Sequence, residues 1–168
     1  MSRLLLAIDG IRFARNYTLD MIEHVEPADW YHFPGDGVTH IAWQVGHLAY
    51  AEYSLALRRI RGEREDDQQW LDRRFMTLFG KGSRPDSADA TCPDPDELRH
   101  MLDRVHEKTL EEISRLSENQ LDEPDLGANR HPFFDTKFGS LLWCGRHEMV
   151  HAGQIGLLRR LLGYPPRR

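Results

Sequence analysis

Apolar residues recur along this chain at spacings of three and four, and four long segments carry that helical period. From about Ser2 to Val25, the residues Leu4, Ala7, Ile11, Ala14, Thr18, Met21 and Val25 form one stripe. Arg12, Arg15, Asp20 and Glu23 fall mostly elsewhere on the wheel, and Pro27 ends the run. After a loop with Pro34, Gly35 and Gly37, Thr39 is the expected N-cap of a second helix. It runs to about Arg61, where the basic turn Arg58, Arg59, Arg61 suits the negative end of the helix dipole and Gly62 stops it. Trp43, His47, Tyr50, Ser54 and Leu57 share one stripe of this helix, so His47 is expected to point inward.

The third long helix announces its start with Asp94 as N-cap, Pro95 at the first position and Glu97 in the capping-box position. Leu98, Met101, Leu102, Val105, Thr109, Ile113 and Leu116 line its face. Asn119 to Asp135 reads as loop, and a last helix runs from near Thr136 to Gly163, with Pro165-Pro166 beyond. Its apolar face includes Trp143, Val150, Ile155, Leu158, Leu161 and Leu162. Residues 63–93 form a polar connection with a short helix from Gln68 to Phe79 and an irregular stretch from Ser87 to Pro93. With no strand pattern and no repeat, the expectation is an all-α, four-helix bundle with a long crossover between helices 2 and 3, a single domain over residues 1–168.

Composition narrows the class. Over 168 residues, 40% hydrophobic and 29% charged is a globular balance. No apolar run approaches the ~20 residues that span a bilayer. The Leu4-Leu5-Leu6-Ala7-Ile8 stretch is too short for a secretory segment. Two cysteines, Cys92 and Cys144, are too few for a disulfide framework, so a cytoplasmic location is expected. A net charge of -5 argues against nucleic acid as a partner.

The candidate chemistry lies in Arg146-His147-Glu148-Met149-Val150-His151. Residues four apart share a helix face, so both imidazoles can reach one ion. Among nine histidines such a pair is common by chance, and core histidines bonded to carbonyls would look the same. The position of His147 and His151 at the centre of the apolar face is what points to a metal, since two buried imidazoles need partners. The motif matches His-Glu-x-x-His, but no His, Asp or Glu follows His151 to serve as a metalloprotease's downstream ligand. A third ligand must come from upstream. His47 is the best candidate, with His40 and His131 as rivals. His24, His32, His100 and His106 have surface or loop settings. Cys144 faces the same stripe and could supply a thiolate, although a small core residue is the ordinary reading. Glu148 could act as a base, as a carboxylate behind the ligands or as a plain surface residue, the last being the ordinary case. Gln154 could bond to a ligand imidazole or to a molecule at the ion. Gly46, Gly145, Gly153 and Gly156 could mark close helix approach.

At this point the chain resembles a known family. The segment Trp43-Gln44-Val45-Gly46-His47-Leu48-Ala49, joined with His147-x-x-x-His151-Ala152-Gly153-Gln154-Ile155, looks like the DinB-like superfamily. The resemblance implies a four-helix bundle, often a homodimer, here expected through the first or third helices. It also implies nickel, zinc or a similar ion on three histidines, which map to His47, His147 and His151. Some relatives are isomerases or S-transferases that use low-molecular-weight thiols such as mycothiol or bacillithiol. The family name does not imply DNA binding. The long, charged 63–93 connection is a departure.

A three-histidine site with an open position would activate a small thiol or water for transfer to, or hydrolysis of, a small molecule. Glu148 and Gln154 would be the catalytic candidates. Tyr50, Trp43 and Trp143 would be pocket walls or simply core. The alternatives are a non-catalytic metal-binding stress-response protein, which a fourth ligand such as Cys144 would favour, and a metal-free interaction module.

Overall fold

The computed structural model describes residues 2–69, 71–85 and 92–167. Among them all regular secondary structure is helical, with two isolated bridges, Pro124 to Thr136 and His131 to Phe134, and no strand. Helix α1 spans Arg3–Ile22, with the Ser2 hydroxyl accepting from the Leu5 amide. Helix α2 begins as Ile41–Glu52, widens through π-helical turns over Tyr53–Arg58 and closes with Arg59–Arg61 before Gly62 at φ 84°. Helix α3 is short, Arg73–Phe79, and α4 spans Pro95–Ile113 with the expected capping box of Asp94 and Glu97. Helix α5, Lys137–Leu161, starts from Thr136 and is followed by Gly163 at φ 89°.

Helices α1 and α5 pack along each other most extensively, while α2 meets α3, α4 and α5. The α1–α5 approach depends on Gly145, where a Cβ would stand 2.9 Å from the Gly10 carbonyl oxygen. The stripe read on α1 is buried from Ala7 through Met21. Two apolar clusters result. One gathers Trp30, Met21, the first half of α2, Leu98 to Val105 of α4, and Ile155 and Leu158. The other gathers Ala7 to Ile11, Leu55 to Ile60, Ile113 and Leu141 to Cys144.

Between them lies a polar layer to which all four long helices contribute. Arg15 of α1, 1% exposed, donates from Nε to Glu148 Oε1 of α5 at 2.8 Å and from Nη2 to Glu52 Oε2 of α2 at 2.6 Å. Its Nη1 donates to the Leu102 carbonyl of α4 at 2.6 Å, and His106 Nδ1 donates to Glu52 Oε1 at 2.9 Å. The sequence reading that set Arg15 off the buried stripe and His106 on the surface is therefore corrected. A charged side chain can sit inward when its whole fork is bonded.

Other boundaries move by small amounts. His40, not Thr39, caps α2, because its Nδ1 accepts from the Trp43 amide at 3.0 Å. The short helix starts at Arg73 rather than Gln68, since Asp72 supplies the cap. Val150, 57% exposed, and Leu161, 52% exposed, leave the buried face of α5. The irregular stretch expected over Ser87 to Pro93 lies largely outside the described residues.

Candidate metal centre

Three imidazoles meet where α2 crosses α5. His147 and His151 stand one turn apart on α5 with ring centroids 4.5 Å from each other. His47 comes in from α2, 4.8 Å from the His151 ring and 5.5 Å from that of His147. One ligand nitrogen from each can be chosen so that all three lie within 4.8 Å of one another. Around a tetrahedral ion bound at 2.0–2.1 Å such nitrogens stand about 3.4 Å apart, so small ring rotations would close the set.

The hydrogen bonds behind two of the rings select the tautomer. His47 Nδ1 lies 2.8 Å from the Phe79 carbonyl oxygen. A carbonyl only accepts, so Nδ1 carries the proton and Nε2 keeps its lone pair for a ligand. His151 Nδ1 lies 2.5 Å from Gln44 Oε1, while Gln44 Nε2 donates to Gln154 Oε1 at 2.8 Å. That chain again puts the proton on Nδ1 and leaves Nε2 for an ion. Such support from behind is the usual arrangement of metal-binding histidines. Three neutral imidazoles thus form a donor set that fits a divalent ion of the zinc or nickel kind.

Local packing explains these placements. Phe79 ends α3, and its ring lies so close to Gly46 that no Cβ would fit there. Glycine at 46 thereby lets the end of α3 deliver a carbonyl to the neighbouring His47. The Trp43 ring stacks on His47 at 4.7 Å and 8° between planes. Burial lowers the pKa of His47 despite the Phe79 bond. Burial, with the neighbouring imidazoles adding, pushes His147 down to about 4 and His151 to about 3. All three are neutral at pH 7, as ligation requires. A cavity of about 620 Å³ opens beside His47 and His147, walled by Tyr50 and Trp143.

The rival ligands are placed elsewhere. His40 is buried as the α2 cap, with its ring against Tyr31 and Phe33. His131 stacks on Phe134 at 4.1 Å and lines the cavity without joining the three ligands. Cys144 is buried in the second apolar cluster, and burial followed by the nearby Glu52 and Glu148 charges raises its thiol pKa well above the ordinary value. A neutral thiol there is a core residue.

Glu148 is neither a surface residue nor turned toward the histidines. It is 2% exposed, and both its oxygens bond to Arg15. Gln154 does reach the site's support, through Gln44. The sequence alone assigns no supporting role to Gln44, the Phe79 carbonyl or Arg15. Gln44 follows Trp43 at a buried helix position, where a polar side chain signals a bonding role. Nothing in the pattern identifies a backbone carbonyl as a histidine's partner.

A family model, that of the DinB superfamily, matches residues 11–155, a span that contains all three histidines. No curated protein matches the chain. Among solved structures, a conserved protein from Enterococcus faecalis has a similar fold, with a TM-score of 0.72 and 16% identity. The match covers 97% of this chain and 99% of that one.

Proposed function

The chain belongs to the DinB superfamily, and on that premise we propose that it holds one divalent metal ion on His47, His147 and His151 and uses it in small-molecule chemistry. The observation that carries this reading is the gathering of three ligand nitrogens within 4.8 Å, two of the rings being held through Nδ1 so that Nε2 is presented. Nickel or zinc suits three imidazoles. An ion held by these three histidines would supply the chemistry of lowering the pKa of a thiol or water and polarising an electrophile.

The chain's own residues supply orientation and exclusion. The Phe79 carbonyl and Gln44 fix two rings, and Gln154 holds Gln44. Trp43 covers one face of His47, and the cavity beside Tyr50 and Trp143 receives the reactants. Glu148, bonded to Arg15, supplies no base in this reading. The reaction class is transfer of a low-molecular-weight thiol to a small electrophile, or hydrolysis. Cys144 is buried among apolar residues, which weakens the case for a four-ligand structural ion. With this reading go a four-helix bundle of α1, α2, α4 and α5 as a single domain, a cytoplasmic homodimer and no nucleic-acid or membrane partner.

Plasma mass spectrometry on tag-free protein tests the site. We expect about one nickel or zinc ion per chain, lost in His47→Ala. Wild-type protein that takes up no ion after reloading would overturn it and favour a metal-free interaction module. Light scattering at the monomer mass would remove the dimer.

A further inference from the structure

The cavity beside the histidines is unusually cationic for this chain. Arg58, Arg59, Lys81 and Arg130 line it against one carboxylate, Glu63, while the protein as a whole carries a net charge of -5. Arg59 is already neutralised by Asp125 and bonds the Asn129 carbonyl. Arg58 is different. It is half-buried, its Nη2 donates to the Ser54 hydroxyl at 2.8 Å, and its guanidinium carbon stands 6.0 Å from the Tyr50 ring centre. Among the described residues no carboxylate pairs with Arg58, Lys81 or Arg130, although the ion pairs elsewhere are numerous.

A partly desolvated guanidinium without a counter-charge is costly, and a carboxylate entering the cavity would relieve that cost with a two-pronged bond. The cavity wall concentrates the field of the neighbouring cations. His131, which lines the same wall, registers it: burial lowers its pKa first, and Arg59 and Lys81 lower it further. The helix bounds the size of the ligand. Tyr50 stands 6.3 Å from the His47 ring and 6.0 Å from the Arg58 guanidinium carbon. Arg58 follows His47 by about three turns of the same helix, so a ligand joining the two is several bonds long.

We propose that this cavity is a carboxylate subsite: the small molecule that reacts at the histidines carries, several bonds from its reacting end, a carboxylate held by Arg58 and Arg130. Lys81 strengthens the field without being required. The reacting end rests on the metal reading above, whereas the carboxylate contact does not.

Cobalt-loaded full-length protein provides the test, since a thiol reaching the ion changes its absorption. The probes are 6-mercaptohexanoate and 6-mercaptohexanol, with 3-mercaptopropionate as a chain too short to reach. The long acid should bind roughly tenfold tighter than the long alcohol. The short acid should gain little. In Arg58→Gln/Arg130→Gln the preference should vanish while the alcohol binds as before. Arg130→Gln alone, at an exposed residue, should remove part of the preference in a protein whose circular dichroism and melting are unchanged. Equal binding of acid and alcohol by loaded wild type would overturn the subsite and leave the metal reading standing. Failure to load cobalt would overturn the metal reading. The subsite is then read by calorimetry of hexanoate against hexanol on metal-free protein, where no preference overturns it and an arginine-dependent preference sustains it.

Discussion

His147 and Glu148 are consecutive residues of α5, and the helix turns them toward different surroundings. His147 lines the cavity with His47 and stands one turn from His151, three neutral rings with ligand nitrogens within 4.8 Å of one another. Glu148 faces the sealed polar layer, where Arg15 has its Nε and both Nη atoms bonded to Glu148, Glu52 and the Leu102 carbonyl. The first cluster is electrically quiet and chemically unsatisfied. The second is charged and saturated. A protein interior tolerates polar groups under either condition, but only the first leaves room for something from outside. The layer also ties α1, α2, α4 and α5 together at one level, and α2 and α5 are the helices that carry the histidines.

The largest effect expected from this contrast is in the sealed layer. Arg15→Met should cost about 3–5 kcal/mol in urea denaturation, because it strands two buried carboxylates. Replacing Arg15, Glu52 and Glu148 together by apolar residues of similar volume should recover much of that loss. A single replacement as mild as a surface mutation would mean that the layer does not act as a unit. Next comes the support of the open cluster: Gln44→Met should weaken metal binding about 10–100-fold with little change in melting, measured by competition with a chelator.

A third, smaller effect is the acid sensitivity of metal-free protein. In the unfolded chain the histidines take up protons near pH 6.5, whereas His147 and His151 in the folded chain resist until about pH 4 and 3. Between those limits the unfolded state binds more protons, so stability is full above pH 6.5 and declines as pH falls. The melting temperature of metal-free protein should drop from pH 7 to pH 4, and less steeply in the His147→Ala/His151→Ala variant. The smallest effect should be that of His147→Ala on the metal-free protein at pH 7, within about 1 kcal/mol. A larger loss there would make His147 a structural residue.

The same contrast explains how much was legible beforehand. Period and caps located the long helices, because a capping box such as Asp94 with Glu97 is local chemistry. The three histidines were readable because two share a helix face and the third sits on an inward stripe. Arg15, Glu52 and Glu148 were not readable, since single charged residues on three different helices look like solvated positions until tertiary packing joins them. Val150 erred in the other direction: an apolar residue at the edge of a helical stripe carries no mark of which side the neighbouring helices cover. The cap shift from Thr39 to His40 has the same character, because an imidazole can do an oxygen's work at a helix start.

Two of the ligand rings are held by acceptors of different heritability. His151 is braced by the side chain of Gln44, so one codon change at position 44 can release it. His47 is braced by the main chain of Phe79, and an acceptor that every amino acid carries cannot be deleted by substitution. Point mutation can disturb that brace only indirectly, by displacing the end of α3, for example through a side chain at position 46. Across generations of drift, the ring on α2 keeps its orientation through almost any change at position 79 that preserves the backbone path, while the ring on α5 depends on selection holding one glutamine in place.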